Sequence, residues 1–180
     1  MNCYLDIETT GLDPLQSKII TIQYMELERN TAKPVGPLKI LKEWESDEKT
    51  ILKKFISDSG VADKYPFAFI PVGYNLEFEH NFIWQRCMSN ALQPVDILDR
   101  PFLDLKTVGV IMNKGEFKGA GLDKLTNKPK SGKEIPRLYY EKNYGEIEKY
   151  IKIETESFCE WLAILYVKLP KLRDELLQEN

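Results

Sequence analysis

Apolar and polar positions along this chain group into runs that separate strands from helices. Residues 2–8 are rich in apolar and aromatic side chains and read as a strand. Residues 19–27 read as a second, carrying the β-branched run Ile19-Ile20-Thr21-Ile22. A weaker third strand falls at 38–41, after the turn-rich Lys33-Pro34-Val35-Gly36-Pro37. The spacing then becomes helical over about 47–57, with Leu52, Phe55 and Ile56 on one face and Ser46 placed to cap it.

Residues 66–73 read as a buried strand whose Pro71 marks a sheet edge or a strand end. A helix is expected over about 77–90. Phe102-Leu103 is a short strand leading through Asp104 into a helix that runs to Val110. The Gly- and Lys-rich stretch 113–133 has room for one short helix near Leu122, and 145–169 is a long helix closed by Pro170. Three strands followed by alternating strands and helices predict an α/β fold with a mixed sheet. No repeat or linker interrupts the pattern, so residues 1–180 read as one domain with a full core.

Composition changes this picture little. Cys3, Cys87 and Cys159 are too few and too widely spaced for a metal motif or a disulfide scaffold. No signal peptide opens the sequence and no apolar run is long enough to span a bilayer, so a cytoplasmic protein without membrane contact is expected. The net charge of −3 argues against nonspecific coating of nucleic acid. Between Lys114 and Arg137, however, seven cations (including Lys128 and Lys130) face three acids, an excess that suits either a phosphate contact or a solvated loop.

The chemistry concentrates at Asp6 and Glu8. Residues two apart in a strand share a face, so the two carboxylates aim into one small volume, where a hard cation such as Mg²⁺ or Mn²⁺ would balance them. Asp6-Ile7-Glu8-Thr9-Thr10-Gly11-Leu12 resembles the first motif of the DEDD (DnaQ-like) 3′–5′ exonuclease superfamily. Its second motif is matched by Gly73-Tyr74-Asn75-Leu76-Glu77-Phe78-Glu79, with Glu79 where the family usually has aspartate. Asn75 also suits a helix N-cap, and Glu77 and Glu79 suit a first helical turn. Tyr150-Ile151-Lys152-Ile153-Glu154 has the spacing of the third motif in the tyrosine (DEDDy) branch, with glutamate again replacing aspartate. An i, i+4 pair occupies one helical face, so both groups can reach one site. Position 149 is lysine where the histidine branch needs histidine, and His80 reads as a helix-surface residue.

This resemblance, which makes the chain similar to the exonuclease domain of family B DNA polymerases, implies a ribonuclease H-like fold: a mixed five-stranded sheet flanked by helices. It implies Asp6, Glu8, Glu79 and Glu154 as ligands of two divalent ions, Mg²⁺ or Mn²⁺, and Tyr150 as the group that orients the attacking water. It also implies that Thr9, Thr10, Leu12, Asn75 and Phe78 meet the terminal nucleotide of single-stranded DNA or RNA with a free 3′ end. Phe78 equally suits core packing against Phe82. Three functions stay open: an exonuclease releasing nucleoside 5′-monophosphates, a domain that holds 3′ ends or a partner protein without cutting, and a ribonuclease H-type endonuclease. With no polymerase segment in the sequence, proofreading would need a separate polymerase or repair partner.

Overall fold

The computed structural model describes residues 1–126 and 132–178. Strands β1 (Asn2–Thr9), β2 (Ile19–Leu27) and β3 (Lys39–Lys42) precede helix α1 (Glu48–Asp58). Then come β4 (Ile70–Gly73), α2 (Leu76–Ser89), β5 (Leu103–Asp104) and α3 (Leu105–Met112). The single-turn α4 (Leu122–Leu125), α5 (Ile135–Tyr140) and the long α6 (Tyr144–Gln178) complete the order. The strands form one five-stranded sheet, β3-β2-β1-β4-β5. The first three are antiparallel, while β4 and β5 run parallel to β1. This is the mixed sheet with flanking helices expected of a ribonuclease H-like fold.

Alternation along β1 divides the core. Cys3, Leu5 and Ile7 pack with Phe55 of α1 and Phe82 of α2 on one face. Tyr4 turns to the other face, among Phe158, Trp161 and Leu162 of α6. A third cluster joins Ile20 to Ile135, Ile147 and Ile151. Each such side chain, once fully buried, stabilises the fold by about 1.5–3 kcal/mol.

Three expectations need correction. The cap of α1 is Asp47, whose carboxylate accepts from Thr50 N at 2.7 Å, and not Ser46. The strand expected over 66–73 is confined to Ile70–Gly73, and it is internal to the sheet. Pro71 is tolerated because β5 pairs only with Val72 and Gly73, so no ladder partner stands beside the proline's missing N–H. Pro170 lies inside α6 and does not close it. Residues 167–178, which include the proline, are all exposed, so its ring meets no packed neighbour on that stretch. No helix of the described residues is long and apolar enough to cross a membrane.

Candidate active site

Two periodicities build the site. Residues 4, 6 and 8 of β1 share the face that meets α6, about 7 Å apart along the strand. Residues 158, 154 and 150 of α6 share a stripe, about 6 Å apart along the helix. Tyr4 packs against Phe158 with ring centroids 5.0 Å apart. One step along, Asp6 and Glu8 meet Glu154, and one ligand oxygen from each of the three lies within 4.8 Å of the others. One step further, Tyr150 stands beside Glu154 and Glu8. The Tyr150 hydroxyl donates to Glu154, and burial with the neighbouring Glu154 and Glu8 charges raises its pKa far above the ordinary phenol range. The Tyr150 phenol is thus held against Glu154.

The same strand parity adds residues that the motif analysis did not single out. In the antiparallel pairing of β1 with β2, Gln23 lies opposite Asp6 and Thr21 opposite Glu8. Gln23 Nε2 donates to Asp6 Oδ2 at 2.6 Å, and Thr21 Oγ1 donates to Gln23 Oε1 at 2.9 Å. Both polar side chains are fully buried. Their amide–hydroxyl relay fixes the rotamer of Asp6, as groups behind a ligand commonly do. The signal was present in the sequence: two polar residues at alternate positions, 21 and 23, inside an apolar run from Ile19 to Met25. Gln23→Leu is expected to weaken Mn²⁺ binding about 10- to 100-fold by titration calorimetry; unchanged affinity would refute the positioning role.

Glu79 lines the same cleft as Asp6, Glu8 and Glu154. It is 3% exposed, and its Oε2 has no hydrogen-bond partner. Burial first, and then the Asp6, Asp104 and Glu154 charges, raise its pKa well above the usual carboxylate range. The sign follows directly. A carboxyl held protonated by the fold favours the native state fully below its unfolded value near 4.5, and that contribution is lost as pH rises. The midpoint of the metal-free chain should fall as pH rises above about 4.5, with a flatter profile for Glu79→Gln; parallel profiles would contradict this.

Asn75 adopts a left-handed conformation (φ 69°, ψ 47°) and makes no side-chain cap of α2. Asp104 takes that part instead. Its carboxylate accepts from Asn75 N at 2.8 Å and Leu76 N at 2.9 Å, and also from Lys106 N. The freed Asn75 Oδ1 accepts from Lys106 Nζ at 2.5 Å. Glu77 is exposed and turned away. Phe78 meets Phe82 at 4.8 Å and still lines the cleft, so both of its expected parts are compatible with its place.

Thr9 Oγ1 donates to Gly11 O at 2.6 Å, and Thr10 Oγ1 accepts from Lys18 N at 3.0 Å. Both hydroxyls are thus spent on the turn after β1, which carries Leu12 at 85% exposure. An open cleft of about 390 Å³ joins Asp6, Glu8, Glu79, Asn75, Phe78, Tyr150 and Glu154. His80 lies elsewhere, beside Asp96 and Trp84. Lys128 and Lys130, part of the cationic stretch noted in the sequence, lie outside the described residues.

A family model of the RNase H superfamily matches residues 3–141. The sequence matches no curated protein. Among solved structures, E. coli exonuclease I in complex with a dT13 oligonucleotide aligns with a TM-score of 0.66 at 13% identity. That alignment covers 98% of this chain and 43% of the other. The zinc-bound form of the E. coli exonuclease I–ssDNA complex gives 0.66 and 13%, over 98% and 42%. The ExoI/SSB-Ct complex gives 0.64 and 13%, over 98% and 43%. The chain therefore spans less than half the length of these exonuclease I chains, and at such identity the likeness is one of fold.

Proposed function

The chain belongs to the RNase H superfamily, and from that premise we propose that it is a metal-dependent 3′–5′ exonuclease of the tyrosine branch. It would release nucleoside 5′-monophosphates from the 3′ end of single-stranded DNA or RNA. The observation that carries this reading is the alignment of Asp6, Glu8 and Glu154 oxygens within 4.8 Å, with Tyr150 one helical turn along. A set of carboxylate oxygens without thiol or imidazole suits a hard divalent cation, Mg²⁺ or Mn²⁺. The buried, unpartnered Oε2 of Glu79 supports a second such ion nearby. When bound, the ions supply charge neutralisation and an activated water for in-line displacement at the terminal phosphodiester.

The chain's own groups set the geometry. Gln23 holds Asp6, and Asp6, Glu8 and Glu154 converge from strand and helix. The Tyr150 phenol orients the incoming water. The turn fixed by Thr9 and Thr10 presents its backbone to the terminal sugar, Leu12 wedges against the base, and Phe78 closes the cleft floor. A separate polymerase or repair protein would supply strands to trim. The buried, unpaired thiols suit a reducing cytoplasm.

The test uses 5′-labelled single-stranded DNA and RNA with Mg²⁺, Mn²⁺ or EDTA. A metal-dependent ladder shortening from the 3′ end is expected, with Asp6→Ala at least about 1,000-fold slower, since a lost ligand forfeits several kcal/mol of charge stabilisation. Cutting of circular substrate would point to an endonuclease. Bound but intact strands would mean a domain that holds 3′ ends without hydrolysis.

A further inference from the structure

The cleft has a second wall that the proposed chemistry does not use. Five carboxylates line the cleft as a whole (Asp6, Glu8, Glu79, Asp123 and Glu154), yet among the described residues it carries one cation, Lys106. Among the described residues that ammonium pairs with no acid. Its one partner among the described residues is the neutral Asn75 Oδ1, and its two remaining N–H groups find no acceptor there. Lys106 Nζ is thus held in place by an amide while its charge stays available.

On the same wall stands Phe117. At 74% exposure it is the most exposed aromatic side chain of the described residues, and it lines the acidic cleft. The ring sits on a braced loop. The Asn113 side-chain amide donates to Glu116 O at 2.6 Å and to Lys118 O at 3.1 Å, tying the residues on both sides of Phe117. Gly115 N closes back onto Val110 O at 2.8 Å. The Tyr74 hydroxyl, from the strand end that carries Asn75, donates to Ala120 O. Gly109 makes room for that bond, since a Cβ there would lie 2.5 Å from the Tyr74 hydroxyl. One strand end therefore anchors both the ring-bearing loop, through Tyr74, and the ammonium, through Asn75.

We propose that Lys106 and Phe117 form a nucleotide subsite beside the carboxylate cluster, with Lys106 contacting a backbone phosphate and Phe117 stacking on the base of the residue next to the 3′ end. This rests on the nucleic-acid reading of the site, but it concerns binding and not hydrolysis. A fixed ring serves any base, because every base has a π-face, and a lone ammonium contacts a phosphate without regard to sequence. The subsite would accept single strands of mixed sequence, and its chemistry is shared by DNA and RNA.

The experiment measures binding of fluorescent oligothymidylate and oligouridylate in EDTA and in Ca²⁺, with salt titrations and with 2-aminopurine placed at successive positions from the 3′ end. Phe117→Ala should weaken binding between about fivefold and a hundredfold and abolish a position-specific 2-aminopurine quench, while Phe117→Trp restores both. Lys106→Gln should reduce the slope of log affinity against log salt by about 0.7, and Lys106→Arg should keep it. Wild-type affinity in Phe117→Ala, an unchanged slope in Lys106→Gln, or no binding by the wild type would each overturn the subsite. Should these shifts appear while the wild type cuts nothing, the subsite stands and the exonuclease reading falls.

Discussion

Saturating Mn²⁺ is expected to raise the thermal midpoint of the wild-type chain by roughly 5–10 °C, and that of Asp6→Asn hardly at all. The size follows from linkage. A ligand at a hundredfold excess over its dissociation constant adds about 2.7 kcal/mol to the folded state. Each kcal/mol moves the midpoint of a chain this long by roughly 2–4 °C. The variant keeps an oxygen for Gln23 Nε2 to bond, so the relay behind position 6 survives while one charge leaves the cluster. In the absence of metal, Asp6→Asn should therefore be the more stable protein. Removing that charge relieves Glu79, whose titration burial dominates and Asp6 perturbs next. Opposite signs with and without metal distinguish a cation site from a merely acidic patch. Equal Mn²⁺ responses in the two proteins would mean that Asp6 is not a ligand. Scanning calorimetry at several Mn²⁺ concentrations reads both effects in one series.

The fold was legible wherever local periodicity decides it. The β-branched run of β2 and the two acids of β1 lie in consecutive residues, and the i, i+4 spacing of Tyr150 and Glu154 needs only a helix to align them. Boundaries were harder. Ser46 and Asp47 both suit a cap, and only backbone geometry chooses between them. Residues 66–69 are as apolar as a strand but lie outside the sheet, and of the four only Phe69 is buried.

The parts of the site that sequence did not disclose depend on contacts across long separations. Gln23 meets Asp6 only through strand register, and a one-residue slip would send it to the opposite face. Asp104 caps α2 from another strand, which displaced the expected capping by Asn75 and left that side chain for Lys106. Phe117 sits in a stretch that reads as loop, where no period marks a functional ring. Glu79 was found by register alone, and its full burial is set by packing around α2.

Glu48→Ala is expected to cost about 3–5 kcal/mol of stability, a fall of roughly 6–20 °C in the midpoint. Glu48 Oε1 accepts from Ile19 N at 2.7 Å and Arg86 Nε at 2.9 Å, and Oε2 accepts from Arg86 Nη2 at 2.8 Å and Asn90 Nδ2 at 3.1 Å. Arg86 Nη1 also reaches Pro14 O at 3.3 Å. The side chains of Arg86 and Glu48 are only 16% and 9% exposed, so removing the acid strands a cation and an amide away from water. The turn that carries Leu12 is tied here at its middle, Pro14, and where it enters β2, at Ile19 beside the β1–β2 irregularity. The loss should therefore appear in oligonucleotide binding as well as in stability. A Glu48→Leu, Arg86→Leu double variant separates the causes. If the stranded charge dominates, the double variant recovers most of the lost midpoint. If it is as unstable as Glu48→Ala, the hydrogen bonds to Ile19, Pro14 and Asn90 carry the larger share, and the pair acts by fixing the turn where strand and candidate nucleotide contact meet.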